Sequence, residues 1–400
     1  MSDKPENIRD DEHLDNVTPI FQDQEQPKKN PLKKQWIIFF CILAVILILL
    51  ILFLFFCTNV MDGVKRFFRY NGIDEDSYSD IRFDSYGNCS YAISDHSFAI
   101  ASQDGVNLYA ENGKTLQKVT GNFSNPVLDA SKDMFLLSDV GGKRLFLMDN
   151  EGKMLFDLET EGLIYDADLS KSGCCAVLYE GTDCHAILDV YTREGSLLYS
   201  YHSESAFLNS CALSPDGSLA VVSTLGQEDI GFHAAGRILT TRQEGVRAEI
   251  SFGGQVIFDS AFLSNDTICA VGENSLFFFD TQGNLIKEYQ EENAGLISYT
   301  FSGNHLYAAY DLFETGTGYR ICSISENGEL VCSIDVSAMP IDIRTSGSYL
   351  SVLDSDKLTI YDLELTPCNE TANNGYVASL VRGDGTALCI GSGTAELYIP

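Results

Sequence analysis

Short apolar bursts alternate with polar turns along most of this chain, and one stretch breaks the pattern. Residues Ile37–Cys57, "IIFFCILAVILILLILFLFFC", are apolar throughout, without a charge, Pro or Gly. From residue 80 onward the apolar runs are short and are separated by Gly, Asn, Asp and Ser. Such runs predict β-strands joined by tight turns. The segment Leu276–Tyr289, "LFFFDTQGNLIKEY", shows the unit: a strand, a turn at Gly283 and a second strand.

The same unit recurs. Copies end at Gly113 ("VNLYAENG"), Gly152 ("LFLMDNEG"), Gly195 ("LDVYTREG"), Gly245 ("ILTTRQEG"), Gly283 ("LFFFDTQG") and Gly328 ("ICSISENG"). Their spacings are 39, 43, 50, 38 and 45 residues. A further copy, "LTIYDLEL", keeps the strand but carries Leu365 at the glycine position. A glycine after a polar residue suits a hairpin position of positive φ, where a Cβ would clash. Two earlier strands precede each hairpin, as "VIFDSAFLS" and "TICAVGE" do before Leu276. Four short strands in every ~40 residues predict an all-β protein, a β-propeller, because one such sheet buries its faces only by stacking on neighbours around an axis.

Blade number turns on the ends of the domain. The segments "YVASLVRGDG", "TALCIGSG" and "TAELYIP" supply three strands after the last copy. A fourth is available from "DIRFDS", Asp80–Ser85, which is predicted to pair beside them and close the ring. The count is then eight blades, with seven as the alternative if residues Thr366–Asn374 conceal a merged blade.

At ~1.5 Å per residue the apolar run makes a helix of ~30 Å, the thickness of a bilayer core. It exceeds the ~7–15 apolar residues of a cleavable signal peptide, and no small-x-small cleavage pattern follows. It is read as one N-terminal transmembrane helix, an uncleaved signal anchor. Lys28, Lys29, Lys33 and Lys34 precede it, and Lys65, Arg66 and Arg69 follow. The cluster nearer the span is N-terminal, which places the N-terminus in the cytoplasm and the propeller outside a plasma membrane crossed once. The expected order is a disordered cytoplasmic tail over 1–35, the anchor over 36–58, an acidic juxtamembrane stalk over 59–79 and an extracytoplasmic propeller over 80–400.

Charge narrows the partners. The chain carries a net −31, and the part from Tyr70 on holds 17 Lys and Arg against 48 Asp and Glu. A domain so acidic repels nucleic acid, so none is expected. The expected contacts are the membrane, through one helix, and a protein or cell-envelope ligand.

The "LxxxDxxG" hairpins, the N-terminal anchor and an acidic, Cys-containing repeat domain resemble an uncharacterised domain-of-unknown-function family of membrane-anchored proteins from Clostridia-type Gram-positive bacteria. The resemblance covers residues 35–400, implies an external propeller of eight or seven blades, and transfers no activity or site residue. At greater distance, "LSPDGSLAVVS", Leu213–Ser223, is similar to the first hairpin of WD40-like and quinoprotein-type propellers. The only Trp is Trp36, and no Gly-His…Trp-Asp pair occurs. A quinone cofactor is therefore not expected.

Candidate chemistry is sparse. No CxxC, P-loop, GxSxG or HExxH occurs, so no catalytic residue, cofactor or metal site is assigned. Most cysteines lie in apolar strand patterns and read as small buried hydrophobes. Cys322 and Cys332 flank "SISENGELV" and would face each other if the turn is centred on Asn327, which makes them the candidate disulfide. The longest loops are read at Ser223–Gly236, "STLGQEDIGFHAAG", and Asp311–Gly318, "DLFETGTG". They offer Glu228, Asp229, His233, Asp311 and Glu314 as a candidate binding face. The leading expectation is a membrane-tethered extracytoplasmic propeller that binds or scaffolds at the cell envelope. The alternative is an envelope hydrolase acting on glycans or peptides through acidic residues at the propeller channel.

Overall fold

The computed structural model describes residues 31–56, 58–71, 81–83, 85, 87–94, 96–228, 231–243, 245–312 and 318–400. The chain divides into two compact units, Met1–Met61 and Asp62–Pro400. Helix α1, Pro31–Phe56, lies in the first and follows the apolar run as far as Phe56. Its described side chains, residues 35–50, are exposed, Trp36, Phe39 and Phe40 among them. Among the described residues no helix is long and apolar enough to cross a membrane.

The second unit is an eight-bladed β-propeller of antiparallel sheets. Its first strands surround the axis: Ser90–Ile93, Pro126–Ser131, Ile164–Leu169, Phe207–Leu213, Ile257–Phe262, Ala294–Ser302, Asp342–Ser346 and Ala378–Val381. Second strands such as "MFLLSD" and "TICAVG" are buried along their whole length, because a neighbouring blade covers each face. Fourth strands such as "TLQKVT" and "LIKEY" form the polar outer rim. The core accordingly lies between blades. Leu108 of blade 1, for example, packs with Phe135 and Phe146 of blade 2.

The repeated glycine has a local cause. In blades 1 to 7 the register between the third and fourth strands slips by one residue just before the turn. This is a bulged hairpin that needs a left-handed residue. Gly283 supplies it with φ of +83°. The turn also lies against the outer strand of the preceding blade, where a Cβ on Gly283 would stand 2.8 Å from the carbonyl oxygen of Glu249. Leu365 takes the left-handed conformation without being glycine, at φ of +61°. Its side chain is buried in the cluster of Tyr307, Ile321 and Ile343, which offsets the strain.

Closure follows the expectation from the two ends. Blade 8 has three strands, Ala378–Val381, Ala387–Ile390 and Ala395–Tyr398. Arg82 bridges Thr394 beside the last of them, and the Phe83 N–H donates to the Gly393 carbonyl at 3.1 Å.

The stretch 59–79, expected as an acidic juxtamembrane stalk, is described only as far as residue 71. Thr58–Tyr70 is helix α2, and 72–79 lie outside the described residues. From Asp62 on, α2 docks across the closing blades. The Asp62 carboxylate accepts from Tyr349 Oη of blade 7 at 2.9 Å. Arg69 donates to Glu111 of blade 1 and to Asp384 of blade 8. Tyr70 Oη lies 2.9 Å from Thr386 Oγ1 and accepts from Arg382 Nη1 at 3.0 Å. Arg382 is fully buried there, and its Nε and Nη2 have no hydrogen-bond partner among the described residues.

Candidate functional site

The long loop expected at Ser223–Gly236 is a hairpin instead. Strands Leu219–Glu228 and Gly231–Thr240 pair without a break from Leu219↔Thr240 to Glu228↔Gly231. Glu228 and His233 therefore sit on a protruding β-ribbon of blade 4, and Asp229 lies outside the described residues. Asp311 belongs to a strand of blade 6, opposite Gly295 and Tyr319, and Glu314 lies outside the described residues. Blade 5 stands between the two groups, so they share one face of the ring but are not brought together.

The disulfide expectation is also corrected. The bulge between Ser323 and Ile324 sets Cys322 opposite Ser333 and Cys332 opposite Ser323. The two side chains point to opposite faces of the blade, Cys322 into one core cluster and Cys332 against another. Both thiols are free.

A different feature marks the face where the first strands begin. Val127, Tyr165, Phe207, Phe258, Ile341 and Val377 lie within one residue of those starts in blades 2, 3, 4, 5, 7 and 8. All are exposed, Phe207 at 55% and Phe258 at 59%. They form a broken circle of apolar side chains around the channel mouth. Carboxylates rim it: Glu161, Glu180, Asp183, Glu204, Glu273 and Glu292 are exposed on loops of the same face. The nearby Lys143 donates to the Glu161 carbonyl at 2.6 Å. Sequence reading passed over these apolar residues because each looks like the first core residue of its strand.

Deeper along the axis the first strands carry polar side chains that stitch one blade to the next. Ser90 Oγ accepts from the Leu128 N–H at 2.9 Å, and Asp129 Oδ2 from the Leu169 N–H at 2.9 Å. Asp166 Oδ2 accepts from Cys211 N–H at 2.8 Å, and Asp168 Oδ2 from Leu213 N–H at 2.7 Å. Asn209 donates to the Ile257 carbonyl, Tyr299 Oη to Asp259 and Thr345 Oγ1 to the Phe301 carbonyl. Asp342 Oδ2 accepts from the Ser379 N–H at 3.0 Å.

Four of these carboxyls crowd one side of the axis. Burial raises Asp129 to about 6 and Asp166 to about 7, and repulsion from Asp259 adds to both shifts. Burial and the Asp129 charge hold Asp168 well above the usual carboxylate range, and burial raises Asp259. All four keep some exposure to the channel, so water screens part of this effect. The signal was present as acids within apolar strands, one each in "VLDAS" and "IFDSAF" and two in "IYDADL". Among the described residues, no group of three or more His, Cys, Asp or Glu side chains is arranged to hold a metal ion.

A family model described as a family of unknown function, DUF5711, matches residues 68–368. The chain belongs to DUF5711. No curated protein matches it. Among solved structures, the computationally designed Ika8 protein superposes on the DUF5711 chain with a TM-score of 0.58 at 14% identity, covering 78% of this chain and 95% of the other. The C-terminal WD40 domain of Sif2 gives 0.58 at 12% identity, with 80% and 97% covered. BamB from Moraxella catarrhalis gives 0.48 at 13% identity, with 79% and 94% covered. At these identities the first two show a fold shared with DUF5711 and nothing of its ligand.

Proposed function

We propose that this DUF5711 propeller is a membrane-tethered binding module that holds a protein partner on the face where its first strands begin. The circle of exposed apolar side chains from Val127 to Val377 carries the reading. Apolar surface of this kind, rimmed by polar residues, is characteristic of interaction sites. The carboxylate rim favours a partner segment that combines apolar and basic residues. Tethering rests on the apolar run Ile37–Cys57 and its flanking lysines, with the N-terminus cytoplasmic and the ring outside. The channel aspartates are what a hydrolase reading would draw on. Each already bonds to a neighbouring blade, which supports a structural role for them.

A photo-crosslinking residue placed at position 207 or 258 in intact cells tests the reading. Discrete protein adducts are expected there, and none from the same residue at position 118 on the outer rim. Adding Phe258→Asp to the chain probed at position 207 should remove the adduct. Equal crosslinking from face and rim, or none from the face, overturns the reading.

A further inference from the structure

Helix α2 is amphipathic in an inverted sense. Helices on globular proteins ordinarily turn their apolar stripe inward. Here Asp62, Arg66, Arg69 and Tyr70 lie on one side of the helix, and Asp62, Arg69 and Tyr70 bond to the ring. Val64, Phe67 and Phe68, at the i, i+3, i+4 spacing, lie on the other side. They are exposed at 44%, 63% and 74%, and the two phenylalanines pack edge to face on each other in the open.

We infer that the Val64–Phe67–Phe68 face of α2 lies in the interfacial layer of a lipid bilayer while the opposite face holds the propeller. Three observations select lipid as the occupant. One residue, Cys57, separates α2 from α1, so the helix begins where the apolar run ends. A helix with phenylalanines on one side and an exposed lysine, Lys65, at the edge of that side is a form that rests in the headgroup region. The charge also fits. Residues 36–69 carry 3 Lys and Arg against 1 Asp, in a chain whose remainder is strongly acidic, and Lys65 is exposed beside the apolar face. Anionic headgroups would be repelled by the rest of the domain and attracted here.

The inference rests on the tethered reading for the presence of a bilayer, and it adds an orientation. Glu111, Tyr349 and Asp384, the residues that α2 grips, lie at turns on the face where the first strands end. The apolar circle lies on the other face. A bilayer-seated α2 therefore presents the circle away from the lipid.

Intrinsic fluorescence separates the two claims, because Trp36 is the only tryptophan. The full chain is reconstituted in phosphatidylglycerol–phosphatidylcholine vesicles with acyl chains brominated near the headgroup. Quenching of Trp36 reports the anchor. In a Trp36→Phe/Phe68→Trp chain, the indole at position 68 is expected to emit at shorter wavelength than in the urea-unfolded chain and to be quenched by the bromolipid. Trp36→Phe/Phe67→Trp should behave alike and guards against a local disturbance at 68. If Trp36 is quenched and both new indoles are not, the anchor stands and the interfacial helix is overturned. Blue-shifted but unquenched emission means that protein covers the face, and also overturns it. Quenching at 67 and 68 without quenching at Trp36 upholds the helix and removes the anchor.

Discussion

An ordinary junction in this ring and the closing one are held by different means. Between blades 3 and 4, Asp166 and Asp168 stitch the first strands at the axis, and both sheets have four strands. Between blades 8 and 1, among the described residues, no side chain bonds Ala378–Val381 to Ser90–Ile93. The closing sheet has three strands and borrows one bridge from Arg82. Like the other joints it has an apolar cluster, here of Ile81, Phe98, Ile100, Leu380, Leu388 and Ile390, and in place of the stitch it has α2 laid across blades 7, 8 and 1. A ring can therefore be continuous in shape while one of its joints depends on parts from outside the blade repeat.

Removing residues 391–400 attacks that joint and should have the largest effect. It deletes the last strand and the Thr394 partner of Arg82, so the expected outcome is loss of the cooperative melt for the whole domain. A truncated chain that still unfolds in one sharp transition by circular dichroism would show that the closing joint is dispensable. Arg69→Ala removes one point of the α2 clasp and takes from buried Asp384 its ion-pair partner, leaving Arg382 as the remaining nearby charge. A loss of about 2 kcal/mol is expected, short of the ~3–5 for a fully buried pair because Arg69 keeps some exposure. Its counterpart Arg144→Ala, on the solvent-facing Arg144–Asp157 pair of blade 2, should cost no more than ~1 kcal/mol. Urea midpoints at equal m-value compare the two, and equal losses would mean that α2 adds nothing special at the closing joint.

The ordinary joints can be probed through their turns. Gly283→Ala drives a Cβ against Glu249 of the preceding blade and strains φ, for a loss of about 2 kcal/mol. Gly245 has positive φ but nothing within 4 Å of a built Cβ, so Gly245→Ala should lose only about 1 kcal/mol. Thermal melts of the pair separate backbone strain from blade contact.

The smallest effect concerns pH. The Asp166 carboxyl is raised to about 7 in the fold, against ~3.9 unfolded. Its stabilising contribution is complete below the unfolded value and is lost as pH rises through 7. The protein should melt higher at pH 5 than at pH 8. Asp166→Asn keeps an acceptor for the Cys211 N–H and should gain about 1 kcal/mol at pH 8, after screening by channel water, and little at pH 4. A variant with an unchanged pH slope would refute the assignment.

Legibility in the sequence followed locality. The blade period was readable because the bulged turn is solved within a few residues, with Asp280 accepting from the Gln282 and Asn284 N–H groups and Gly283 beside them. The same bulge misled the cysteine pairing, since one slipped residue sends Cys322 and Cys332 to opposite faces. The blade 4 ribbon read as a loop because Gly226, Gly231, Ala234, Ala235 and Gly236 carry little strand preference, and pairing with a partner strand overrides that. The channel stitches and the α2 clasp join residues tens to hundreds of positions apart. No window of sequence displays them.

The bridge between Arg82 and Thr394 also sets a clock. Synthesis runs at ~5–20 residues per second, so the first partner waits on the order of half a minute for the second. Through that interval the growing stack has two unfinished ends, each able to pair with the wrong chain. Closure waits for Thr394, and a chain cut short before it keeps its first edge open.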